Sequence, residues 1–89
     1  MDPDQSIDGI YTFEDASAFL RITVSGDTWI GKTIIRSGMG EEYDEVSYES
    51  GRMKGKTLYE SSGYVEIGYI SGNNLTTSIG NSRVTLRKN

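Results

Sequence analysis

The sequence predicts an all-β fold: an antiparallel up-and-down meander of about eight short strands, closed into a small β-barrel, with a two-sheet β-sandwich as the alternative. Three observations carry this. Apolar and polar residues alternate with a period of two over most of the chain. Ser-Gly pairs punctuate it at positions 25, 37, 50, 62 and 71, the spacing of turns between consecutive strands. No window repeats its apolar residues with the helical period. A long meander left open would carry two edges of unpaired backbone, and closure removes them. Glycines at 31, 55 and 68 would let the strands bend.

Taken in order, residues 1–7 read as a flexible leader and 8–89 as one domain. Gly9 to Glu14 alternates as a first strand with Tyr11 and Phe13 on one face, and Asp15-Ala16 turns the chain. Ser17 to Ser25 is the clearest alternation, with Ala18, Leu20, Ile22 and Val24 against Phe19, Arg21 and Thr23. After Ser25-Gly26-Asp27, Thr28 to Ser37 puts Trp29, Gly31, Thr33 and Ile35 inward. A Gly38-Met39-Gly40 loop leads to an acidic strand, Glu41 to Glu49. Ser50-Gly51 reads as a two-residue turn that sets Glu49 opposite Arg52, Tyr48 opposite Met53 and Val46 opposite Gly55. Ser61-Ser62-Gly63 reads as a three-residue loop with Gly63 left-handed, pairing Tyr59 with Val65, Thr57 with Ile67 and Gly55 with Tyr69. The inner face of this hairpin is then Met53, Thr57, Tyr59, Val65, Ile67 and Tyr69, and Leu58 and Ile70 fall outside. Asn74 to Ile79 and Ser82 to Lys88 flank a Gly80-Asn81 turn, which sets Thr77 opposite Val84 and Leu75 opposite Leu86. A weak repeat relates Ser25–Ile34 to Ser50–Leu58.

Composition narrows the function classes. With 89 residues the domain buries only about 60–65% of its unfolded surface. There is no cysteine for a disulfide and no histidine, which argues against zinc and against Ser-His or Cys-His catalysis. The net charge of −4 argues against nonspecific nucleic-acid binding. No apolar run is long enough for a membrane-spanning helix or resembles a signal peptide. Export remains compatible if a leader has been removed.

Four patterns bear on chemistry. Gly26-Asp27-Thr28-Trp29-Ile30-Gly31-Lys32-Thr33 matches the P-loop spacing, but Trp29, Ile30, Ile34 and Ile35 continue a strand where a phosphate loop needs a helix. No Gly-x-Ser-x-Gly elbow occurs, and nothing brings two of Glu14, Asp15, Glu60 and Glu66 together, so the reading is non-catalytic with no cofactor. Glu41, Glu42, Asp44 and Glu45 form an acidic cluster whose spacing matches no calcium loop. It reads either as a docking surface for a basic partner or as a solvated edge that blunts strand pairing. Tyr11, Phe13, Trp29, Tyr48, Tyr59 and Tyr69 all fall on the inner face, as a ligand pocket or as ordinary core packing.

The meander, its opening Gly9-Ile10-Tyr11 and its closing Thr85-Leu86-Arg87-Lys88 resemble the lipocalin and calycin barrels. Those open with Gly-x-Trp and lay a basic residue of the last strand across that ring. The resemblance implies Tyr11 at the Trp position, Arg87 at the basic position, and a small apolar ligand. The chain departs from the pattern in its Tyr, its roughly half length, and its lack of a flanking helix or disulfide. The expectation is therefore a binding barrel, with an apolar guest inside or a protein partner outside. Its rival is a structural domain with a filled core, as part of a larger exported protein.

Overall fold

The computed structural model describes residues 7–36, 45–79 and 82–89. The expectations for residues 1–6, the 38–40 loop, most of the acidic cluster and the Gly80-Asn81 turn fall outside that range. The strands are β1 Gly9–Glu14, β2 Ala18–Ser25, β3 Thr28–Ile35, β4 Glu45–Lys54, β5 Thr57–Glu60, β6 Glu66–Ser71, β7 Asn74–Ile79 and β8 Ser82–Lys88. Each pairs antiparallel with the next, and β8 returns to β1 through Tyr11–Lys88 and Thr12–Arg87, so the sheet is a closed barrel.

One end of the barrel is made of three hairpins built alike. Gly26-Asp27, Gly55-Lys56 and Gly72-Asn73 are the two-residue turns. Each turn begins on a glycine with φ of 62–64°, a left-handed conformation that strains any side chain. Two residues before the glycine and three after it, the chain points inward. The resulting pairs, Val24–Trp29, Met53–Leu58 and Ile70–Leu75, are all buried. With Tyr11, Leu20, Ile22 and Leu86 they form the core.

The same turns are stitched to one another. The second turn residue of each hairpin offers its carbonyl to the next strand along the rim. Met53 N–H donates to Asp27 O at 2.7 Å, Ile70 N–H to Lys56 O at 2.8 Å, and Lys88 N–H to Asn73 O at 2.8 Å. Asn89 N–H then reaches Ile10 O at 2.9 Å, and the Asp8 carboxylate accepts Gly26 N–H at 3.1 Å. The circuit runs around the rim and returns to its first turn. Gly9, Tyr11 and Lys88 fill the seam inside it. The Lys88 ammonium lies 5.9 Å from the Tyr11 ring centroid, and a Cβ on Gly9 would lie 2.6 Å from the Lys88 side chain. The basic residue over Tyr11 is thus Lys88 and not the expected Arg87, which is exposed beside Thr12.

The largest departure from the sequence expectation is at Ser50-Gly51. No turn forms there, because β4 runs straight through to Lys54 and turns at Gly55-Lys56. Gly51 faces Trp29 across the β3–β4 ladder, and the indole occupies the space a side chain would need. A Cβ on Gly51 would collide with the Tyr59 carbonyl oxygen and lie 2.6 Å from Trp29 Nε1. Trp29 Nε1–H in turn donates to Tyr59 O at 2.8 Å, tying β3 to β5 across β4. The ring over a bare backbone is Trp29 on Gly51, not Tyr69 on Gly55.

Moving the turn changes which residues face inward beyond it. Leu58 and Ile70 are core residues, whereas Thr57, Tyr59 and Tyr69 lie on the outer face. Thr57 pairs with Tyr69 rather than Ile67, and a register shift between Leu58 and Tyr59 follows. Residues 61–65 are loop, with Tyr64 and Val65 exposed, and Gly63 takes its expected left-handed φ of 83°. The β7–β8 register agrees with expectation at both Thr77–Val84 and Leu75–Leu86.

Gly51→Ala is expected to destabilise the domain by about 1–3 kcal/mol, the usual cost of overpacking, and to red-shift Trp29 emission. Trp29→Ala is expected to cost about 3–5 kcal/mol. Urea melts check both, and a Gly51→Ala curve overlying wild type would contradict the packing described.

Candidate functional site

The opposite end is splayed because the strands differ in length. β5 has 4 residues and meets β4 only at residues 51–54. Glu45 to Ser50 of β4 therefore pairs with β3 alone among the described residues. Across the gap, Thr77, Ser78 and Ile79 of β7 pair with β8 while β6 pairs with β7 no further than Tyr69–Thr76. Between these two ribbons lies an open cleft of about 280 Å³.

Its floor is the upper surface of the core: Leu20 and Ile22 of β2, Trp29 of β3 and Ile67 of β6. Gly31 leaves the floor bare, since a Cβ there would sit 3.1 Å from the Trp29 ring. Thr33, Ser47 and Ser78 bring hydroxyl-bearing side chains to the lining, Ile35, 38% exposed, joins them, and Glu49 is the one carboxylate among the described lining residues. The Thr77 hydroxyl is occupied, donating to Ile67 O at 2.9 Å and binding β7 to β6 where the ladder between them ends. A second, more polar cleft of about 290 Å³ lies against Glu66, Tyr69, Thr76 and Arg83 and shares Ile67, Thr77 and Ser78 with the first.

The six aromatic residues expected to converge do not share one surface. Tyr11 and Trp29 are buried and Phe13 is half-buried against the core. Tyr48 is 68% exposed and Tyr69 42% exposed, both on the outer face. Tyr59 is half-buried under the Lys54 ammonium, 4.8 Å from its centroid, and Tyr48 has Lys32 at 5.8 Å. Of the six, Trp29 alone lines the cleft. Tyr11 belongs to the other end, where its hydroxyl donates to Ile7 O at 2.7 Å. Burial, and secondarily the charge of Asp8, push that hydroxyl above the ordinary tyrosine range. Ile35 and Ile67 face inward as the alternation predicts, and they line the cleft because β5 begins only after the Gly55-Lys56 turn.

The acidic residues separate as well. Glu45 is exposed at the start of β4; Glu41, Glu42 and Asp44 lie outside the described residues. Glu14 pairs with Arg36. Asp15 caps the β1–β2 connection, accepting Ser17 N–H and Ala18 N–H at 2.8 Å each and the Ser17 hydroxyl at 3.0 Å. Those donors, Ser17 first, hold its carboxyl below the usual carboxylate value. It is a structural anion. The P-loop-like stretch is a turn followed by β3, a strand where a phosphate loop needs a helix. No group of three or more metal-ligating side chains occurs among the described residues, and no helix there is long and apolar enough to cross a membrane.

Comparison with family models, with curated proteins and with solved structures found no match to this chain.

A carboxyl whose value is lowered by folding contributes stability above its ordinary value, about 4, and that contribution is lost as pH falls through the lowered one. Asp15→Ala is therefore expected to lower Tm at pH 7 and to make the acid-side decline of Tm shallower than in wild type. Parallel Tm curves down to pH 2 would contradict the assignment.

Proposed function

We propose that this protein is a non-catalytic binding barrel that takes a small apolar guest in the cleft at its splayed end. The observation that carries the reading is the cleft itself, with an apolar floor of Leu20, Ile22, Trp29 and Ile67 among hydroxyl-bearing side chains. Small-molecule sites are typically apolar with a few polar groups that orient the guest. Its volume of about 280 Å³ falls just under the range for drug-sized ligand sites, roughly 300–1,000 Å³. The guest is accordingly small, such as a single ring system or a short acyl chain.

The lipocalin resemblance supports the same arrangement. In that architecture a basic residue packed on a first-strand ring closes one end, and the ligand enters by the other. Here Lys88 and Tyr11 occupy the closed end and the cleft lies opposite. The rival reading of a filled interior fits the closed half of this barrel, where the core residues leave no buried polar side-chain atom unpaired among those described.

Trp29 is the sole tryptophan, so a guest on the cleft floor reports itself. Titration with the small fluorophore 1-naphthylamine, neutral at pH 7, is expected to quench Trp29 saturably at one site per chain. Ile35→Lys, at a lining position 38% exposed, is expected to weaken that binding about tenfold, since it sets a charge in the apolar path, with Tm unchanged. Non-saturable quenching, or equal binding by the variant, would refute the proposal.

A further inference from the structure

We infer that the free edge of β4, residues 45–50, is a docking site for an extended basic polypeptide segment that adds to the sheet as a further strand. The inference does not rest on the guest proposed for the cleft, although an added strand would enter the gap that Ser47 and Glu49 line. It concerns backbone groups at the edge rather than the cleft floor.

The unpaired groups can be named. Met53 N–H donates to Asp27 O, so Met53 directs its backbone groups toward β3. Backbone direction alternates along an antiparallel strand. Gly51, Glu49, Ser47 and Glu45 therefore also face β3, in the pairs Trp29–Gly51, Gly31–Glu49, Thr33–Ser47 and Ile35–Glu45. Val46, Tyr48 and Ser50 direct N–H and C=O the other way. β5 begins to cover that side only from Gly51 onward. Val46 and Tyr48 thus stand open among the described residues, with Ser50 bordering the Gly51–Glu60 pair, and all six residues from Glu45 to Ser50 are exposed. Such an edge is a template for strand addition.

Side chains along the edge specify the occupant. Ser47 and Glu49 line the cleft, and Glu45 shares their face by alternation. Val46 and Tyr48 present apolar surface on the outer face, 46% and 68% exposed. An added strand meets carboxylates on its cleft side at two positions four residues apart, and apolar neighbours on its outer side between them. The matching segment carries Lys or Arg at i and i+4, with β-branched or aromatic residues at i+1 and i+3. A second copy of this chain is the wrong partner. It would bring Glu45 and Glu49 alongside the same two glutamates, and each chain carries a net charge of −4.

The test uses the whole protein and an acetylated, amidated peptide, Thr-Lys-Val-Thr-Val-Lys-Thr, followed by amide hydrogen exchange. Saturable binding is expected, with slowed exchange at Val46 and Tyr48 and none at Ser47 and Glu49, and with affinity falling as salt rises. Replacing both peptide lysines by Glu is expected to weaken binding at least tenfold, as is the double variant Glu45→Lys/Glu49→Lys. Tyr48→Pro removes an outward N–H without touching the β3 ladder, a substitution edge strands tolerate. It is expected to keep the wild-type Tm and lose the peptide. Absence of binding would mean that the glutamates serve to keep the edge unpaired. That result, protection at Ser47 and Glu49 instead, or a β4-mediated homodimer that excludes the peptide, would overturn the inference.

Discussion

Each of the three hairpin turns hands a carbonyl to the strand that follows it on the rim, and the closed end of the barrel rests on that relay. A two-residue turn uses its own backbone sparingly and leaves the carbonyl of its second residue directed outward. Asp27, Lys56 and Asn73 each place that carbonyl against the N–H of Met53, Ile70 and Lys88. The pairing that extends each ladder into the neighbouring turn also positions the next inward side chain. Hydrogen bonding and core packing are therefore fixed together. Each hairpin is local in sequence and cheap to close, while the β1–β8 seam spans nearly the whole chain and carries a larger closure entropy. The relay delivers β8 to β1 already aligned, and Tyr11 and Lys88 complete the contact.

The same economy explains why the other end is open. A chain of 89 residues spends its longest strands on β2, β3 and β4, and β5 is left with 4 residues. The long strands project past the short ones. What they expose is the upper surface of the core, with Leu20, Ile22 and Ile67 under an incomplete wall. Trp29 stands between the two halves. It packs on Gly51, bonds to Tyr59 O, and shows part of its ring to the cleft. The packed core at one end and the cleft at the other thus meet in one side chain.

Much of the fold was legible in the sequence. The bounds of β1, β7 and β8 follow from alternation and turn chemistry that agree with each other. The β7–β8 register follows as well, because an offset by one residue would turn Leu75 and Leu86 out of the core. Gly51 marks where this reading failed. A Ser-Gly pair marks a turn when glycine supplies a left-handed backbone, and a packing site when glycine makes room for a ring. Both uses occur here, at Gly72 and at Gly51. The signal that separates them is the frame around the glycine. Val24, Met53 and Ile70 stand two residues before the turn glycines, and Trp29, Leu58 and Leu75 three after. Gly51 lacks that frame. The misplaced turn reversed the facing of Leu58 and of Tyr48, Tyr59 and Tyr69, so the expected ring-lined interior dissolved into a core, an outer face and a cleft. The cleft was not legible, because it arises from the shortness of β5: the Ser61-Ser62-Gly63 loop marks its end, but the turn that begins it is at Gly55-Lys56 and not at Ser50-Gly51.

The central claim is that the rim relay, and not the whole length of the strands, closes the barrel. Native-state amide exchange of the unliganded protein resolves this residue by residue. The account predicts that Met53, Ile70 and Lys88 exchange only through global unfolding, with one shared free energy equal to that from urea melts. Met53 protected at that level with Ile70 or Lys88 exchanging through local opening would contradict it, because the relay would then be broken in the native state.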